Sequence, residues 1–166
     1  MKKLVSFIDS FNEMVGRFVS YVVYALLIVV LYEVVSRKIF NKPTIWAFEL
    51  SYMLYGTMFI LGFAYTLKHN MHVGIDVISG RLSPKKQSVL EILSYLVFFF
   101  PFMYLAIKSS YSFFYQSWEM REISQSQWAP PIYPFKALIP IGFCLLCLQG
   151  VSQFIKAIYK LKGGKI

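Results

Sequence analysis

Two histidines and an aspartate stand close together in the stretch HNMHVGID, residues 69–76. His69 and His72 are the only histidines of the chain, and Asp76 follows four residues after the second. On an α-helix these three positions lie near one face. Two imidazoles and a carboxylate on one face can hold a divalent transition metal. The stretch therefore raises the hypothesis of a metal or haem site.

The surrounding residues favour a plainer interpretation. A metal enzyme would need further ligands, and the chain has no third histidine. A haem bound by two histidines takes them from opposite sides of the iron, which two side chains within one helical turn cannot provide. From Val73 to Val77, apolar side chains alternate with a glycine and an aspartate, which suggests a short segment along the membrane surface. We therefore predict no catalytic residue, no metal and no cofactor.

The two cysteines of the chain are a second candidate for chemistry. Cys144 and Cys147 form a C-x-x-C pair, a spacing used by redox proteins. They lie inside the apolar run 137–155, where burial disfavours the reactive thiolate. A quinone-linked thiol oxidase would need a second cysteine pair, which the sequence lacks. We interpret both as structural thiols.

The composition is that of a membrane protein. Hydrophobic residues make up 57% of the 166 residues and charged residues 15%, against roughly 25% charged residues in soluble domains. The net charge of +9 could indicate nucleic-acid binding, but the basic residues flank apolar runs and form no stripe of their own. Lys and Arg at the ends of apolar helices are typical of membrane insertion. We predict no nucleic-acid partner.

Four apolar runs are long enough to cross a bilayer. A hydrocarbon core about 30 Å thick needs about 20 helical residues, and none of the runs shows the two-residue alternation of a barrel strand. The sequence predicts an all-α integral membrane protein with four transmembrane helices and short amphipathic interfacial helices. The predicted spans are residues 16–36, 49–68, 91–115 and 136–157.

The segments between the spans set the orientation. Residues 1–15 carry apolar side chains at helical spacing among polar ones, which predicts an amphipathic helix on the membrane surface rather than a cleavable signal peptide. Cytoplasmic segments carry the excess of Lys and Arg. With both termini inside, eleven of these residues lie inside and six outside. We therefore predict cytoplasmic termini, a cytoplasmic loop at 69–90 and a periplasmic loop at 116–135.

Three further residues carry expectations of their own. Glu33 stands four residues before Arg37, which predicts an ion pair along one helix, although an acid within a membrane span can also mark a functional site. Glu49 opens the second span, where a helix N-terminus stabilises an anion and where it could also bind a basic residue of a neighbouring subunit. Pro101 predicts a kink in the third span.

One long run resembles the small membrane subunit, the DctQ-like Q subunit, of tripartite ATP-independent periplasmic (TRAP) transporters. It reads SRKIFNKPTIWAFELSYMLYGTMFILGFAYTLKHNMHVGIDVISGRLS. The positions that match the family pattern are Arg37, Trp46, Glu49, Gly62, His72 and Asp76. The prolines in WAPPIYPFKALIPIGF are also similar to the family, whereas Gly74 stands where the family often has a basic residue.

The resemblance implies transport without catalysis. In this family a periplasmic substrate-binding protein captures an organic acid and delivers it to a large multi-span membrane subunit, which carries the substrate and sodium sites. The small subunit braces the large subunit and helps to dock the binding protein. The resemblance thus implies these two partners, membrane lipids, the bacterial inner membrane, and sodium-driven uptake of an acid such as a sialic acid or a C4-dicarboxylate.

The predicted outer side carries basic and aromatic residues that suit docking of the binding protein or anchoring to lipid headgroups. These candidates are Arg37, Lys38, Lys42, Trp46, Arg121 and Trp128. Two other functions stay open from the sequence. One is a haem- or quinone-binding membrane anchor of a respiratory enzyme, which would use the histidines. The other is a self-contained small transporter that works as a homo-oligomer.

Overall fold

The computed structural model describes residues 2–69 and 83–162 of the chain. Within these ranges the chain is helical and has no strand. The helices are α1 (Lys2–Lys38), α2 (Ala47–Lys68), α3 (Pro84–Ser94), α4 (Phe100–Glu119), α5 (Tyr133–Lys136) and α6 (Leu138–Leu161), with a π-helical turn at Tyr95–Phe99 between α3 and α4. Four helical stretches are long and apolar enough to cross a membrane, which confirms the four-helix membrane fold.

Helix α6 is the centre of the bundle. It contacts every other helix named above, whereas α1 packs mainly on α2 and α6. Its buried face alternates small and polar residues such as Gly142, Gly150 and Ser152, so the neighbouring helices approach its backbone closely. The outer faces of α1, α2 and α4 remain apolar and exposed. The bundle therefore leaves most of its apolar surface to lipid or to a partner.

The N-terminal segment is part of the first membrane helix. Residues from Lys2 onward continue into the span without a break, so the amphipathic segment predicted at 1–15 is the start of α1 and not a separate helix. Gly16 does not break the helix but serves packing, since a Cβ there would lie 2.2 Å from Cδ2 of Tyr65. Asp9, Asn12 and Glu13 of this segment bind residues of α6 and α2, whereas its lysines and serines are exposed.

The third span is longer than its apolar run. Its helix begins at Pro84 and ends at Glu119, so part of the predicted loops at 69–90 and 116–135 is helical. Proline is favoured in the first turn, where its missing N–H costs no hydrogen bond. Pro101 follows a π-helical turn in which the Phe100 N–H bonds to the carbonyl of Tyr95. A proline removes one helical hydrogen bond, and a π turn is a common local accommodation.

Candidate functional site

The alternating helices place the residues predicted for docking or lipid anchoring at one end of the bundle. At this end, called here the loop end, α1 and α4 stop and α2 and α6 begin. The opposite end, called the inner end, holds the start of α1 and the last turns of α2 and α6. Predicted functional residues lie in the α1–α2 connection and in residues 120–132, which are both at the loop end.

Glu33 fixes the connection between α1 and α2. One of its oxygens accepts hydrogen bonds from Nη2 and Nε of Arg37, at 2.6 and 3.0 Å, which confirms the predicted ion pair along the helix. The other oxygen accepts from the Thr44 backbone N–H at 3.1 Å and from the Thr44 hydroxyl. The carboxylate therefore ties α1 to the segment that leads into α2, which the spacing of Glu33 and Arg37 alone could not indicate.

The same connection presents its lysines to the surroundings. The Ser36 hydroxyl donates to the carbonyl of Lys42, and the ring of Trp46 stacks on Tyr32 with centroids 5.6 Å apart. Both Lys38 and Lys42 are exposed. Arg37 is exposed too, but its charge is balanced by Glu33. The net positive charge of this segment thus comes from the two lysines.

The second connection at this end is folded back on itself. The Ser124 N–H donates to the Pro130 carbonyl and the Ile132 N–H to the Glu122 carbonyl, each at 2.9 Å. Arg121 is exposed and has a φ of 47°, a left-handed conformation that helps the chain to turn after α4.

A salt bridge closes the base of this loop. The Lys136 ammonium donates to the carboxylate of Glu122 and lies 4.1 Å from the ring centroid of Phe113. The hydrogen bond from Lys136 holds the pKa of Glu122 below its usual range. The carboxylate therefore stays charged at neutral pH and keeps the pair closed.

A hydrogen bond joins the two connections. The Ser126 hydroxyl donates to Glu49, in the first turn of α2, and also accepts the Ala129 N–H at 3.2 Å. Trp128 lies in the same loop and is 37% exposed. The structure thus brings Glu49 to the loop that contains Arg121 and Trp128, at the same end as Arg37, Lys38, Lys42 and Trp46. These residues share one surface, and nothing in the sequence pairs Glu49 with Ser126.

The other family-pattern positions lie away from this surface. Gly62 lies in the middle of α2, and a Cβ built there would meet nothing within 4 Å. His72 and Asp76 lie outside the described residues. In residues 2–69 and 83–162, no group of three histidine, cysteine or acidic side chains could hold a metal ion. Cys144 and Cys147 are unpaired thiols on α6.

The inner end contains a polar cluster that sequence reasoning missed. Asp9 accepts hydrogen bonds from the Lys156 ammonium at 2.6 Å and from the Ser152 hydroxyl at 2.7 Å. The Gln149 amide also donates to it, at 3.0 Å. Asn12 donates to the Gln149 carbonyl oxygen at 2.7 Å. We call these five residues the α1–α6 clamp, because their hydrogen bonds join positions of α1 and α6 that are more than 130 residues apart in sequence.

A second group fastens the end of α2. Glu13 accepts hydrogen bonds from the Lys68 ammonium at 2.6 Å and lies 3.0 Å from Nε2 of His69. The Gln153 amide donates to the carbonyls of Leu67 and Lys68, at 3.2 and 3.1 Å. His69, which opened the metal hypothesis, is thus paired with an acid of α1. A signal existed in the sequence: positions 149, 152, 153 and 156 share one helix face, and all four are polar.

Comparison with known proteins gives consistent similarities. A model of the family described as tripartite ATP-independent periplasmic transporters, DctQ component, matches residues 26–159. The chain is 34% identical over 70 residues to the sialic acid TRAP transporter small permease protein SiaQ of Vibrio cholerae serotype O1, an alignment that covers 42% of the chain and 40% of that relative. It is 22% identical to the C4-dicarboxylate TRAP transporter small permease protein DctQ of the same organism, over 96% of the chain and 75% of the relative.

A third relative is a much longer protein than this chain. The chain is 24% identical over 108 residues to the sialic acid TRAP transporter permease protein SiaT of Haemophilus influenzae. That alignment covers 63% of the chain but 17% of the relative. The region similar to this chain is therefore a minor part of a much longer permease polypeptide. The chain spans about two fifths of SiaQ, about a sixth of SiaT and three quarters of DctQ.

Proposed function

The chain belongs to the DctQ component family of tripartite ATP-independent periplasmic transporters, and on that premise we propose that it is the small, non-catalytic membrane subunit of such a transporter in the bacterial inner membrane. It braces a large permease subunit and helps a periplasmic binding protein to dock, during sodium-driven uptake of an organic acid. Sialic acids and C4-dicarboxylates are the substrate classes that the names of its relatives suggest.

The observation that supports the partnership most directly is the SiaT similarity. A region similar to this chain lies in the same polypeptide as a permease sequence several times its length. When two regions are joined in one polypeptide in a relative, the corresponding separate proteins commonly bind each other. The apolar outer faces of α1 and α2 provide the surface for such a partner, while the α1–α6 clamp and the two loop-end connections hold the helices of the bundle together.

Co-purification tests this proposal. The tagged chain is expressed with its genomic neighbours, extracted in mild detergent and purified. We expect a stoichiometric permease subunit with many more spans to purify with it, and uptake of the organic acid to depend on both. A chain that purifies alone as a transporting homo-oligomer would contradict the proposal. A Soret band that disappears when His69 or His72 is replaced would instead support the haem-anchor alternative.

We place the loop end on the periplasmic side, as the distribution of Lys and Arg favours, and assign it to docking. In this orientation Lys38 and Lys42 present positive charge beside Trp46, and Arg121 and Trp128 extend the same surface. Charges on the rim of an interface act mainly on the rate of encounter. The proposed partner surface on the binding protein is acidic.

Reversing the charge of the two lysines should slow uptake. The double variant Lys38→Glu/Lys42→Glu is expected to reduce uptake roughly threefold to tenfold at low ionic strength and less at high ionic strength, because salt screens steering between exposed charges. Uptake is measured at fixed sodium, with choline chloride added to vary ionic strength. Arg37→Glu is a poorer test, since it also breaks the pair with Glu33.

The matched control reverses two exposed lysines at the opposite end of the bundle, Lys85→Glu/Lys86→Glu. It makes the same change in net charge but is expected to leave the salt dependence of uptake unaltered. Equal, salt-dependent losses in both double variants would show a general effect of charge and would remove the docking assignment. Unchanged uptake in the loop-end variant would do the same.

A further inference from the structure

Helix α1 carries an exposed apolar stripe along almost its whole length. Starting at Leu4 and ending at Val35, apolar or aromatic residues recur at alternating spacings of three and four, and each of these positions is exposed. Phe7, Met14 and Ile28 are 71%, 60% and 67% exposed. The opposite face packs on the bundle through residues such as Val19. We call this stripe, from Leu4 to Val35, the α1 seam.

The α1 seam is too long for the hydrocarbon core of the bilayer to cover. Its 31 residue steps correspond to about 46 Å at 1.5 Å per residue, whereas the hydrocarbon core is about 30 Å thick. A straight helix would have to tilt by roughly 50° to bury the whole stripe, beyond the range of about 0–40° found for membrane helices. One end of the α1 seam therefore projects beyond the hydrocarbon.

The charged residues indicate that the projecting end is the N-terminal one. The side chain of Arg17 is 75% exposed and pairs with Glu13, 3.3 Å away, on the same helix. An exposed ion pair does not lie in hydrocarbon, so residues 4–14 project past it. There Phe7 and Met14 point outward, while Asn12 is buried in the bundle. Water would favour the opposite arrangement, so covering the outward face with an apolar protein surface is favourable.

The α1–α6 clamp holds the projecting segment in place. Asp9 and Asn12 bind α6 on the inward side, so the outward residues continue the stripe of the membrane-spanning part on a single unbroken helix. The alternating spacing of three and four is that of side chains that pack knobs-into-holes on a second helix. The partner that fits the α1 seam is therefore a long helix, apolar through the membrane and beyond it.

We propose that the α1 seam packs along a helix of the large permease subunit, an inference that rests on the proposed function. The SiaT relative supports this occupant over a second copy of the chain, because it joins the similar region to permease sequence in one polypeptide. The contact continues past the membrane through Leu4, Phe7, Phe11 and Met14. Without a partner these four side chains would be exposed to water and not to lipid, so the hydrophobic effect stabilises their contact with the partner directly.

Site-specific photo-crosslinking tests the α1 seam in the co-expressed complex. A photoreactive phenylalanine analogue is introduced at Phe7 or Met14, and at Ser6 as the control. Ser6 is also exposed, but it lies about 100° around the helix from Phe7. We expect adducts with the large permease subunit from Phe7 and Met14 and none from Ser6. Adducts with a second copy of this chain would overturn the proposal and identify a homodimer face.

A substitution gives an independent readout. Phe7→Ser is expected to lower the amount of co-purified permease roughly tenfold, as expected for loss of one buried phenylalanine. Phe102→Ser, at a 61% exposed position on α4, should have little effect. If the permease co-purifies equally with both variants and no adducts form, the α1 seam is excluded while the proposed function stands. If no permease purifies with the unsubstituted chain, the proposed function itself fails.

Discussion

Replacing Gly142 with alanine is expected to destabilise the helix bundle, because the added methyl group would meet the backbone of a neighbouring helix. Gly142 lies on α6 where it crosses α2, and a Cβ there would lie 2.8 Å from the carbonyl oxygen and 3.2 Å from the carbonyl carbon of Ile60. Those atoms belong to a helix backbone and cannot turn aside as a side chain can. The helices must separate or bend, which typically costs about 1–3 kcal/mol.

The matched control for this change is Gly62→Ala on the facing helix. A Cβ at Gly62 meets nothing within 4 Å, so alanine there should leave the fold unchanged or stabilise it slightly through its better helix propensity. The measurement is the free energy of unfolding of the purified chain in mixed micelles. A Gly142→Ala protein as stable as the Gly62→Ala protein would contradict the close approach of α2 and α6.

The same pair of glycines shows where sequence reasoning stops. Both are small residues in apolar helices, and both are expected to allow close packing. Only the structure shows that one faces a backbone and the other faces open space. The prediction that Gly62 is a scaffold position therefore finds no support within the chain itself. Its open surroundings leave room for packing by a partner subunit, which the Gly62→Ala control would also report as altered co-purification.

Features that depend on one helix were predictable, and features that join two helices were not. The four membrane helices follow from the length of their apolar runs, and the Glu33–Arg37 pair follows from a spacing of four. The contact between Glu49 and Ser126 joins residues 77 positions apart, and no pattern in the sequence pairs them. The residues of the proposed docking surface at the loop end were thus predictable as a set, but their arrangement was not.

The contacts of the first helix with α6 were not predictable from its own sequence, for a definite physical reason. Its N-terminal segment has polar and apolar sides, which is the pattern of a helix on a membrane surface. In the structure the inward face of this segment is mixed, with Val5 and Ile8 buried beside Asn12, whereas Phe7 and Met14 are exposed. Asp9 and Asn12 contact α6, a helix that begins 129 residues after Asp9, so the local sequence contains no sign of this contact.

In the α1–α6 clamp, we expect the losses of stability caused by replacing Gln149 and by replacing Asn12 to offset each other when the two changes are combined. Asn12 and Gln149 are 1% and 0% exposed, and the Asn12 amide donates to the Gln149 carbonyl oxygen at 2.7 Å. Gln149→Leu leaves that buried donor without its acceptor. An unsatisfied buried polar group costs about 1–3 kcal/mol, so the free energy of unfolding in mixed micelles should fall by about that amount.

Adding Asn12→Leu should then restore much of the lost stability, since replacing both partners of a buried hydrogen bond by apolar groups of similar size is often close to neutral. The exchange is favourable here for a further reason: Oδ1 of Asn12 is buried and has no hydrogen-bond partner even in the unaltered chain. Asp9 loses the Gln149 amide in either variant but keeps Ser152 and Lys156. We therefore expect the double variant to be about 1 kcal/mol more stable than Gln149→Leu alone.

The control combines Asn12→Leu with Gln153→Leu. Gln153 is also buried on α6, but its amide donates to the carbonyls of Leu67 and Lys68, not to Asn12. Residues without a shared partner usually have additive effects on stability, whereas residues that hydrogen-bond to each other do not. The Asn12/Gln153 pair should thus add, and the Asn12/Gln149 pair should not. Additive losses in both pairs would mean that Asn12 and Gln149 are not coupled, and that other contacts hold the first turns of α1 to the bundle.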